Sequence, residues 1–75
     1  MDIFHIRLRG QVDEEEINRM SPLHLAREGG DMAVTQLAVY SDQSGLIRLM
    51  RHLHGLGYVF LSVTCEQENV GIDPL

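Results

Sequence analysis

Lysine and tryptophan are absent from this 75-residue chain, and cysteine and proline occur once and twice. Each shortage excludes something. With Cys65 alone, no intramolecular disulfide can form and no cysteine pair can begin a zinc site. A lone thiol fits a reducing compartment, so the expected location is the cytoplasm. Without lysine, all positive side-chain charge rests on six arginines, set against eleven acids for a net charge of −5. That balance gives no broad attraction to nucleic acid or to anionic lipid. Aromatics make up only 5% of the residues, too few for the stacked bases of an RNA-binding sheet. No apolar run approaches the ~20 residues of a membrane helix. The start, Met1-Asp2-Ile3-Phe4-His5, lacks the basic then apolar layout of a secretion signal. G-x-S-x-G, P-loop and G-x-G-x-x-G motifs are missing too, so neither an enzyme nor a bound cofactor is expected.

What is present suits one small domain. Apolar residues form 44% of the chain and charged residues 23%, ordinary values for a globular fold. A core of this size supplies only ~3–5 kcal/mol, which small domains often supplement with a partner subunit. The acids are uneven. Asp13 to Glu16 form one cluster and Glu66, Glu68 and Asp73 lie near the end, leaving residues 1–65 with six arginines against eight acids.

Residues Ile3 to Val12 alternate, with Phe4, Ile6 and Leu8 on one side and His5, Arg7 and Arg9 on the other. This period of two predicts a strand with its first set inward. Asp13 and Glu16 have the spacing of a capping box, and Val12 and Ile17 that of a hydrophobic staple. They predict a short helix over residues 14–20, ended by Pro22. Leu23 to Glu28 and Met32 to Tyr40 read as a hairpin about the turn signal Gly29-Gly30-Asp31. The second of these strands is apolar on both faces, with Leu37 and Val39 opposite Val34, Ala38 and Tyr40. Asp42 begins a second helix, Gln43 to Leu56, with Leu46, Leu49, Met50, Leu53 and Leu56 on one stripe. Gly57 suits the left-handed position after it. Tyr58 to Thr64 is the last strand, with Val59, Leu61, Val63 and Cys65 expected inward and Phe60, Ser62 and Thr64 outward.

The order β-α-β-β-α-β predicts an α+β, ferredoxin-like sandwich. It would be a four-stranded antiparallel sheet with two helices on one face, over residues 1–65, with a flexible tail at 66–75.

The run Ser41-Asp42-Gln43-Ser44-Gly45-Leu46, followed by Leu49, Leu53, Leu56-Gly57 and Leu61-Ser62-Val63, resembles a group of small one-domain bacterial proteins. Their pattern is a D-Q-x-x-L helix start, then L-x-x-L-G, then a strand ending in S-V. The same run resembles half of an ACT domain, a regulatory fold that binds amino acids. There the helix start is D-x-P-G-L; here Ser44 stands for the proline. The resemblance implies the same fold and a small-ligand site, an amino acid or an anion, at Asp42, Gln43, Ser44 and Gly45.

Other chemistry competes with plainer readings. His52 and His54 diverge by about 200° on a helix of 3.6 residues per turn, so they do not share a metal. His5 and His24 lie on different strands and meet only if the register allows. Cys65, in phase with the core set, reads as a buried structural thiol. The acidic cluster is accounted for by helix capping.

The uncovered sheet face is the most informative expectation. His5, Arg7, Arg9, Val34, Ala38, Tyr40 and Phe60 would lie on it, and contiguous exposed apolar area of this kind marks a partner surface. A two-fold homodimer is the commonest solution. The sequence thus predicts a non-catalytic interaction or regulatory module that self-associates through its sheet. An ACT-like ligand binder, or a small enzyme or metal protein using the open face, are the alternatives.

Overall fold

The computed structural model describes residues 1–66. The expected tail lies outside them, apart from Glu66, which closes the last strand. Six elements follow one another: β1 (Asp2–Arg9), α1 (Glu14–Asn18), β2 (Ala26–Gly30), β3 (Val34–Ser41), α2 (Gln43–Gly55) and β4 (Phe60–Glu66). The four strands form one open sheet in the order β2-β3-β1-β4, with every neighbouring pair antiparallel.

The alternation of β1 places Phe4, Ile6 and Leu8 in the core. β3 pairs with β1 along its full length, from Asp2 opposite Ser41 to Arg9 opposite Val34. Directly opposed residues share a face, so Leu37 and Val39 join β1's apolar set. Ile17 of α1 and Leu46, Leu49 and Leu53 of α2 bury into the same cluster. Both helices therefore feed one core against one side of the sheet.

Several boundaries moved, each for a local reason. Helix α1 stops at Asn18, and Asp13 makes no side-chain cap bond. The Glu14 carboxylate instead accepts the Arg27 N–H at 3.2 Å. The Asn18 amide accepts from the Leu25 N–H and donates to the Leu25 carbonyl, both at 2.8 Å. With Leu25's backbone groups taken this way, β2 begins at Ala26 instead of Leu23. Leu25 is fully buried, and Leu23 packs on the core without being strand.

The β2–β3 turn needs glycine at Gly30, where φ is +126° and a Cβ would meet the Val34 carbonyl. Asp31 Oδ1 completes the turn by accepting the N–H groups of Ala33 and Val34. Helix α2 begins as expected, with Asp42 Oδ1 accepting the Gly45 N–H at 2.7 Å. It ends one residue earlier than predicted. Leu56 is the C-cap and is 59% exposed, so it leaves the apolar stripe. Gly57, at φ +94°, donates to the His54 carbonyl.

The largest correction concerns β4. Arg7 lies opposite Ser62, but Leu8 lies opposite Phe60, so Leu61 is an extra residue in the ladder. A bulge of this kind reverses the phase of everything before it. Phe60, expected on the open face, instead faces Leu8 and packs on the core. Val59 and Leu61, expected inward, are exposed. Beyond the bulge Val63 keeps its inward place opposite Ile6. Cys65 shares that side but is exposed, not the buried thiol expected.

Candidate functional site

The side of the sheet opposite the helices carries the residues with the most chemistry. β1 presents Ile3, His5, Arg7 and Arg9 there, because alternation leaves them no other side. β3 adds Val34, Gln36, Ala38 and Tyr40, and the register with β1 puts Ser62 and Thr64 of β4 beside them. Ala26 lies opposite Ala38. Tyr40 is 59% exposed. Ile3, Ala26, Ala38, His24 and Tyr40 line a shallow hollow of about 340 Å³. Of the seven interface residues read from the sequence, His5, Arg7, Arg9, Val34, Ala38 and Tyr40 share this face, while Phe60 does not.

At its centre His5 is held by two carboxylates from opposite edges. Nδ1 lies 2.5 Å from Glu28 Oε2, and Nε2 lies 2.7 Å from Glu66 Oε1. Glu28 belongs to β2 and Glu66 to β4, so the imidazole on inner strand β1 links both edges of the sheet. A carboxylate only accepts, so both ring nitrogens donate when the ring is an imidazolium. The hydrogen bond to Glu66, and next that to Glu28, raises the His5 pKa. The hydrogen bond from His5 in turn holds the Glu28 carboxyl below its ordinary range. Gln36 Nε2 stands 3.4 Å from the same Glu28 oxygen.

Glu28 and Glu66 were not singled out in the sequence, one at a strand end and the other at the head of a tail. The alternation Ala26, Glu28 was the available signal for the first. Nothing local marks the second, because its partner lies 61 residues away.

The remaining candidates are dispersed. His24 sits in the apolar hollow, and carboxylates, not His24, occupy both His5 nitrogens. Among the described residues no group of three His, Cys, Asp or Glu side chains is placed to hold a metal ion. At Asp42–Gly45 the Asp42 carboxylate is spent on the Gly45 N–H, while Gln43 and Ser44 are exposed. A Cβ on Gly45 would strike Ser41 Oγ, so glycine there serves the close approach of strand and helix. Desolvation, then the charges of Asp2 and Glu66, push the Cys65 thiol up, away from the thiolate a nucleophile needs. No described helix is long and apolar enough to cross a membrane.

Compared with known proteins, the chain matches no family model, no curated sequence and no solved structure.

Proposed function

We propose that this protein is a non-catalytic interaction module, a ferredoxin-like βαββαβ domain that self-associates through the open face of its sheet. The strand order β2-β3-β1-β4, antiparallel throughout, supports that fold. The observation that carries the function is the charge layout on the bare face. One end holds Ile3, with Glu66 opposite it on β4, and the other end holds Arg7 and Arg9.

A two-fold axis through the middle of this face turns one end onto the other. It brings Arg9 of one copy toward Glu66 of the second and lays the Tyr40 ends over the arginine stems. Such a surface is self-complementary, as an isologous contact requires. Strands of eight, five, eight and seven residues cover roughly 440 Å² per partner. That is below the ~800 Å² per partner of a standard stable interface, so the dimer is weak and concentration-dependent.

The ACT-like reading, a small ligand at Asp42–Gly45, has less support, because capping already occupies the Asp42 carboxylate. The single cysteine supports a cytoplasmic location.

Sedimentation velocity over a concentration series tests the proposal. The expected result is a monomer–dimer equilibrium that Arg9→Glu abolishes and that Arg9→Glu with Glu66→Arg restores. A sharp monomer boundary persisting to about 1 mM would reject it.

A further inference from the structure

The two edges of the sheet are unequal. β2 is five residues long, carries Arg27 and Glu28, is broken by a register shift between Arg27 and Gly29, and ends in two glycines. Short, charged, irregular edges resist pairing with another chain. β4 is seven residues long, FLSVTCE, with no charge before Glu66. From Ser62 to Glu66 it pairs regularly with β1, and its other side is unpaired among the described residues. An edge that pairs regularly over five residues and carries no charge before its last is a template for another strand.

Among the exposed apolar residues, Ile47 of α2, Leu56 at its cap, Val59 before β4 and Leu61 within it are 43–59% exposed. Ile47, Met50, Arg51, His54 and Phe60 line an apolar hollow of about 330 Å³ that links α2 to β4.

We propose that β4 pairs antiparallel with β4 of a second copy, on a two-fold axis at Thr64, joining two sheets into one of eight strands. Self-pairing of Ser62–Glu66 about Thr64 sets Val63 against Cys65 of the second copy on the helix side. On the open side it sets Thr64 against Thr64 and Ser62 against Glu66. No like charges stand opposite, and Thr–Thr and apolar cross-strand pairs are favourable. An axis at Val63 would instead draw the bulged Leu61 into the ladder and set Phe60 against Glu66. The contact is separate from the face-to-face association above. Edge pairing widens the sheet and face pairing stacks it, so the two together close a dimer of dimers with D2 symmetry.

The test is a cysteine scan in a Cys65→Ser background, with Ser62→Cys, Val63→Cys and Thr64→Cys each oxidised mildly at low concentration. Only the residue on the axis meets its own copy within disulfide reach, because Val63 and Ser62 are offset from their own copies by about two and four strand rises. The expected result is a crosslinked dimer for Thr64→Cys in several-fold excess over the others, on a chain that stays folded by circular dichroism. Adding Arg9→Glu removes the face contact, and the Thr64→Cys crosslink persists. An even or absent crosslink across the three positions would overturn the proposal, as would its loss in the Arg9→Glu background.

Discussion

His5 Nε2 lies 2.7 Å from Glu66 Oε1, which ties the inner strand β1 to one edge of the sheet while Nδ1 ties it to the other through Glu28. The full pair of bonds needs a protonated ring and two ionised carboxylates, and stability inherits that requirement. The folded pKa of His5 is raised above 6.5, so its contribution is whole below 6.5 and lost as pH climbs through the folded value. The Glu28 pKa is lowered from 4.5, so its contribution is whole above 4.5 and lost as pH falls through the folded value. The clasp is therefore complete between these two limits. Partly exposed pairs are screened, and each is worth about 0.2–1 kcal/mol. We expect a His5 ring titration by NMR with its midpoint above 6.5, and a His5→Gln variant whose urea midpoint is flat where the wild type declines. A His5 midpoint at or below the ordinary value would break this account.

Thr35 is fully buried, and its hydroxyl donates to the Gly10 carbonyl and accepts from the Val12 N–H, both at 2.8 Å. It therefore pins the link between β1 and α1. Thr35→Val keeps the shape but strands two backbone groups. A loss of about 1–3 kcal/mol is expected in urea unfolding, and no change would show that water replaces the hydroxyl.

Within α2 the leucines are not equivalent. Leu49 is fully buried, and Leu49→Ala should cost about 2–5 kcal/mol. Leu56 stands in water at the C-cap, and Leu56→Ala should stay within about 0.5 kcal/mol. Parallel thermal melts check the contrast, and similar losses would contradict the helix end at Gly55.

The bulge in β4 makes a prediction of its own. Because Phe60 faces Leu8 and packs on the core, Phe60→Ser should destabilise the fold by about 1–3 kcal/mol. Thr64→Ser, on the open face opposite His5, should leave stability nearly unchanged. Were Phe60 an open-face residue, the two substitutions would behave alike.

Much of the architecture was legible in the residues. Phe4, Ile6 and Leu8 alternate, Leu46, Leu49 and Leu53 recur at helical spacing, and Asp42 announces its helix; each pattern lies within one segment. Six of the seven residues assigned to the open face share it. The start of β2 was not legible, because it depends on the Asn18 amide engaging Leu25 across a loop. The expected cap at Asp13 is not made, and Glu14 beside it binds the Arg27 N–H of a later strand, a contact that no local pattern announces.

From its own periodicities the chain determined which side of β1 and α2 turns to a core, since a side chain's direction follows from local backbone geometry. Tertiary structure alone decided where the β4 ladder slips, which carboxylates meet His5, and which edge of the sheet is left open. Those outcomes depend on strands brought together from distant parts of the chain, and one inserted residue, Leu61, is enough to invert a face.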